Sequence, residues 1–108
     1  MLTSKQRAYL RALANSYETL FQVGKGGISD ALVTQTDEAL TARELIKMKC
    51  LENSGMTARE AADALALKCR ANVVQVIGSK LILYRPAPEV KDRKIVLPVE
   101  KKGKKVAK

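Results

Sequence analysis

The first residues that invite a chemical reading are Gly24-Lys25-Gly26-Gly27, followed closely by Ser29 and Asp30. A glycine-rich turn opening into a capped helix is built to meet an anion. The first N–H groups of a helix have no intrahelical partner, and the helix dipole favours negative charge there. Glycine lets a phosphate approach the backbone, and Lys25 adds a point charge. A tight strand-to-helix turn needing φ > 0 would use the same residues, and on the loop alone both readings stand. Two nucleotide motifs fail. No Gly-Lys-Ser/Thr follows, which excludes a P-loop. Gly24-x-Gly26-x-x-Ser29 lacks the third glycine of a dinucleotide fold, and Glu44 precedes the second strand instead of ending it.

Other chemistry is scarce. The chain has no His, so imidazole acid–base catalysis and His-containing triads or metal sites are excluded. Cys50 and Cys69 form no C-x-x-C pair and cannot close a zinc site by themselves. The acidic residues converge on no evident centre. The reading is of a protein with no catalytic residues, no metal and no cofactor.

Charge points to an anionic partner. The 108 residues carry 20 Lys+Arg against 11 Asp+Glu, a net charge of +9. Residues 98–108 hold five Lys and one Glu, and residues 1–97 remain basic at a net +5. Residues 1–97 are therefore expected to form the domain, with 98–108 a basic flexible tail. No uncharged run approaches the ~18 residues that span a bilayer, and Arg7 and Arg11 break any leader-like stretch. A reduced, cytoplasmic protein with no membrane partner is expected.

The elements that must position the loop follow from periodicity. Thr3-Ser4-Lys5-Gln6 and Thr57-Ala58-Arg59-Glu60 are capping boxes. They predict helices over about 4–14 and from 58, with a third helix from Ser29 carrying Ile28, Leu32, Val33, Thr36 and Leu40 on one stripe. Strands are expected over 20–23, 45–51, 72–78 and 81–85, the last two joined by a hairpin turn at Ser79-Lys80. Ile95-Val96-Leu97 reads as a short final strand. The order α-β-α-β-α-β-β predicts an α/β (α+β) single domain, with helices packed on a four-stranded mixed sheet. The expected inward sets are Phe21/Val23, Ile46/Met48/Cys50, Val74/Val76 and Ile82/Tyr84. Gln22, Lys47, Lys49, Gln75 and Arg85 would lie on the opposite face.

Three segments together carry a family resemblance: 21–28 (Phe-Gln-Val-Gly-Lys-Gly-Gly-Ile), 44–49 (Glu-Leu-Ile-Lys-Met-Lys) and 74–78 (Val-Gln-Val-Ile-Gly) running on to Leu83-Tyr84-Arg85. The chain resembles, over about residues 2–97, the YhbY family, the bacterial stand-alone form of the CRM (chloroplast RNA splicing and ribosome maturation) domain. The resemblance implies an RNA-binding fold similar to the C-terminal domain of translation initiation factor three. It also implies a G-x-x-G loop at Gly24–Gly27 and association with ribosomal RNA in large-subunit precursors.

On that basis the expected RNA contacts are Gly24, Lys25, Gly26 and Gly27, with Gly26 and Gly27 N–H groups clamping the backbone. Lys5, Arg7 and Arg11 would form a basic strip on the first helix. Lys47, Lys49 and Arg85 are the remaining candidates. The four aromatic residues leave no evident stacking platform, so shape and backbone recognition are expected. A monomer is expected. The competing reading is a basic interaction module that binds nucleic acid non-specifically or meets an acidic protein partner.

Overall fold

In the computed structural model, which describes residues 2–98, each helix begins where a side chain can satisfy its free N–H groups. Helix α1 (Ser4–Ala14) starts with Gln6 N donating to Thr3 Oγ1 at 3.1 Å and Thr3 N donating to Gln6 Oε1 at 3.2 Å. Helix α2 (Asp30–Arg43) starts with Leu32 N on Ser29 Oγ, and α3 (Ala58–Cys69) with a second reciprocal box between Thr57 and Glu60. Backbone reversal ends two of them. Glu44 follows α2 at φ 70°, and Arg70 closes α3 in the left-handed region at φ 58°.

Strands β1 (Gln22–Val23), β2 (Leu45–Cys50), β3 (Asn72–Ile77) and β4 (Lys80–Tyr84) form one mixed sheet in the order β1-β2-β4-β3. Only β1 and β2 are parallel. The domain is thus a single α+β unit of three helices on a four-stranded mixed sheet.

The sheet packs a hydrophobic core on each face. One face packs Val23, Ile46, Met48, Leu81 and Leu83 against Leu32, Leu40, Ala61, Ala62 and Leu65 of α2 and α3. The other packs Leu45, Val74, Ile82 and Tyr84 against Leu10 and Ala14 of α1, with Ile95 and Leu97 closing its margin. Alanines at 58, 61 and 62 let α3 lie close to the strands. Each fully buried leucine contributes on the order of 1.5–3 kcal/mol.

This arrangement corrects several expectations. Leu81 and Leu83, not Ile82 and Tyr84, share a face with Ile46 and Met48, because Ile46 pairs with Leu83 and Met48 with Leu81. Val74 and Val76 separate, since a register shift between Val73 and Gln75 turns Val74 toward α1. Arg85 lies on the α2/α3 side. The hairpin loop is Gly78-Ser79, one residue earlier than expected, with Gly78 at φ 58°. Ile95–Leu97 forms no strand; it packs as irregular chain after a 3-10 turn at Val90–Asp92. From residue 99 onward, the expected basic tail lies outside the described residues.

Candidate nucleic-acid interface

β1 and β2 run parallel, so both deliver their following segments to the same end of the sheet. The glycine loop leaves β1 there, and a 3-10 turn (Glu52–Ser54) leaves β2 beside it. A Cβ built on Gly27 would stand 3.9 Å from the Ser54 carbonyl oxygen, so the two segments touch. The Gly78-Ser79 hairpin loop reaches the same end, with Cys50 N donating to the Ser79 carbonyl at 2.6 Å. The N-termini of α2 and α3 open from it.

Within the loop the four residues divide the work. Gly27 N donates to the Gly24 carbonyl at 2.9 Å and closes a turn with Lys25 and Gly26 exposed at its tip. Gly27 sits at φ 64°, the one loop position where the backbone demands glycine. Its N–H is spent on the turn, which corrects the expectation that it faces a phosphate. The N–H groups of Lys25 and Gly26 have no acceptor among the described residues. A Cβ on Gly26 would meet nothing within 4 Å, so that face of the loop is open. Asp30 already sits in the first turn of α2 and would repel an anion from the helix end itself.

Beside the loop lies a row of side chains on the α1 face of the sheet that α1 leaves partly uncovered. Gln22 pairs with Lys49, Lys49 with Lys80, and Lys80 with Ile77. Gln22 and Lys80 are exposed, Lys49 is half-buried, and Ile77 is 59% exposed. Lys49 and Lys80 stand directly opposite on antiparallel strands, at a pair that does not exchange hydrogen bonds. Such pairs have Cα atoms about 4.5 Å apart, and like charges there repel. Neither ammonium has a carboxylate partner among the described residues. Lys80 was missed from sequence because it was assigned to the turn; the hairpin register is the signal that locates it.

The other predicted cations are placed elsewhere. Lys47 Nζ donates to the carbonyls of Ala14 at 3.1 Å and Tyr17 at 3.2 Å, so it closes the C-terminus of α1. An Arg7 guanidinium nitrogen donates to the Val73 carbonyl at the start of β3. That point lies three strand spacings and five residues from the loop, about 22 Å. Arg7 therefore does not extend the loop surface. Lys5 is exposed and Arg11 half-buried on the same helix. Arg85 is bound on all sides: Nη1 to Asp37 Oδ1 at 2.6 Å and the Cys69 carbonyl at 2.8 Å, Nη2 to Thr41 Oγ1 at 2.8 Å and the Asp37 carbonyl at 3.0 Å. It clasps β4 to α2 and to the end of α3.

Cys50 and Cys69 are both free and buried. Burial, and then the Asp37 charge, push the Cys69 thiol above its ordinary range. A thiol held protonated is a poor nucleophile. Among the described residues, no cluster of three or more His, Cys, Asp or Glu gathers, and no helix is long and apolar enough to cross a membrane.

Comparison with known proteins gives consistent results. The CRS1 / YhbY (CRM) domain matches residues 2–85. The Bacillus subtilis protein named "Probable RNA-binding protein YqeI" is 43% identical over 98 residues, covering 91% of this chain and all of that one. A Haemophilus influenzae protein named "RNA-binding protein" is 32% identical over 90 residues, covering 83% and 91%. The solution structure of SAV1595 from Staphylococcus aureus, described as an RNA-binding candidate, superposes with a TM-score of 0.71 at 40% identity. That match spans 91% of this chain and 100% of the other.

Proposed function

The chain belongs to the CRS1 / YhbY (CRM) domain family, and from that premise we propose that it binds RNA at the loop end of its sheet. The relatives named as RNA-binding proteins support the class of partner. The observation that carries the site is the Lys49–Lys80 pair beside the open tip of the glycine loop. Two lysines paired across adjacent strands repel one another and are relieved by an anion between them, and a sugar-phosphate backbone supplies one at each step. The free N–H groups of Lys25 and Gly26 hold one phosphate, with the Lys25 side chain beside it. Lys49 and Lys80 hold the next. Gln22 offers an amide to a base edge or a 2′-hydroxyl.

These contacts read backbone and shape, which suits structured RNA more than a defined base sequence. The finer reading is that the RNA is ribosomal, in precursors of the large subunit, with the protein assisting their assembly in the cytoplasm as a monomer without catalysis. Sedimentation of a bacterial lysate tests it, comparing wild type with Gly27→Asp and Lys49→Gln/Lys80→Gln, each checked for folding by circular dichroism. Wild type is expected with large-subunit precursors, and both variants at the top of the gradient. Equal co-sedimentation of all three would defeat the assignment of the site.

A further inference from the structure

β1 is two residues long and flanks only Lys49 and Cys50 of β2. The chain ahead of β1 adds one bond, Leu20 N donating to the Lys47 carbonyl at 2.9 Å, so Leu45 and Ile46 alone in β2 have no neighbouring backbone on that side, and a groove of about 650 Å³ opens there. That volume is in the range of small-molecule sites. Leu45 and Ile46, themselves buried, border it together with Tyr17, Leu20 and Ile95. Arg43 and Lys94 stand on its rim, both exposed and without a carboxylate partner among the described residues. Lys47 also borders the groove, but its ammonium is committed to the end of α1. Among the described residues, Glu18 is the one acid of the lining.

We propose that this groove holds one unstacked nucleotide of the same RNA strand that the glycine loop grips. The inference rests on reading the chain as an RNA binder. The chemistry matches part by part. The apolar walls and the Tyr17 ring receive a base face, as single-strand binders use aromatic and apolar surfaces. Arg43 and Lys94 receive the flanking phosphates. The Glu18 carboxylate only accepts hydrogen bonds, so it selects an exocyclic amine or a 2′-hydroxyl. Position supports the pairing of the two sites. Leu20 lines the groove and Gly24 opens the loop, four residues further along the same edge segment. At about 3.3 Å per residue they are about 13 Å apart, or about four stacked nucleotides at ~3.4 Å each.

The experiment measures affinity for fluorescein-labelled single-stranded RNA of about twelve and about three nucleotides, the longer reaching from loop to groove and the shorter not. Arg43→Gln/Lys94→Gln is expected to weaken the longer RNA about tenfold and the shorter, which cannot hold loop and groove at once, by about twofold at most. The charge-matched control Lys68→Gln/Arg70→Asn, on exposed residues at the end of α3, is expected to change neither; Asn tolerates the left-handed backbone at 70. Adenosine 5′-monophosphate should shift the backbone amide resonances of Ala42, Ile46 and Ile95. If the rim variant matches the control and these amides stay still while Gly27→Asp still abolishes binding, the groove proposal fails and the loop assignment survives. If hexaglutamate moves the amides and the nucleotide does not, the occupant is an acidic protein segment and the proposal is overturned. Wild type that binds neither RNA overturns both readings.

Discussion

Gly26 and Gly27 are interchangeable by composition, yet the backbone gives them different duties. Gly27 holds φ at 64°, so Gly27→Ala should cost about 1 kcal/mol in urea unfolding. Gly26→Ala meets open space and should leave stability within about 0.5 kcal/mol, while weakening RNA by crowding the exposed tip. The cations divide in the same way, and sequence could not sort them. Arg7, Lys47 and Arg85 are spent on carbonyls of this chain, a use that depends on which backbone the fold brings near. Arg85→Met should destabilise by about 2–4 kcal/mol, since it strands the Cys69 carbonyl and opens the α2–β4 clasp. The folded fraction should bind RNA as wild type does. Titration adds a signed expectation. Burial raises the Cys69 thiol and the Tyr84 phenol above their ordinary 9.0 and 10.0, each helped by a nearby carboxylate, Asp37 and Glu44 respectively. Above about pH 9 the unfolded chain releases these protons while the folded one retains them, so stability falls as pH rises. The urea midpoint should be flat from pH 7 to 8.5 and decline beyond, less steeply in Tyr84→Phe.

At the scale of elements, what is local was legible and what is long-range was not. The capping boxes at Thr3 and Thr57 and the Ser29 cap fixed the helix starts, because each is satisfied within three residues. The face of β4 was not legible. Leu81-Ile82-Leu83-Tyr84 is apolar at every position, so alternation is silent and only pairing with β2 decides. The register shift at Val73/Gln75 leaves no sequence signal either. Glu44 was the largest omission. It is buried, and its carboxylate accepts from the N–H groups of Ala87 (2.9 Å), Lys94 (3.0 Å) and Ile95 (3.0 Å). The C-terminal segment that looked like a strand is thus an irregular strap tied to a carboxylate at the mouth of β2. Gln keeps one acceptor oxygen and puts an NH2 donor where the other accepted, facing at least one of those N–H groups. Glu44→Gln should therefore cost about 2–3 kcal/mol. Hydrogen exchange should quicken first at the amides of 87, 94 and 95, ahead of the β2–β4 ladder.

For the whole molecule, net charge overstates what is free to meet RNA. Of the cations outside the tail, Arg7, Lys47 and Arg85 hold carbonyls, Arg59 pairs with Asp63, and Arg93 Nε donates to the Ala87 carbonyl. Those available near the loop and the groove are Lys25, Lys49, Lys80, Arg43 and Lys94. If these five neutralise phosphates, log K should fall against log salt with a slope of about −3.5 on single strands. The variants separate local from global electrostatics. Lys49→Gln/Lys80→Gln should flatten the slope by about 1.4, two phosphates' worth. Lys47→Gln/Arg85→Gln removes the same formal charge but touches groups already engaged with carbonyls, so its folded form should keep the wild-type slope. Affinity measured for both across 50 to 300 mM salt decides the matter. Equal flattening would mean that RNA responds to the overall charge of the domain, and that the loop end of the sheet has no privileged role.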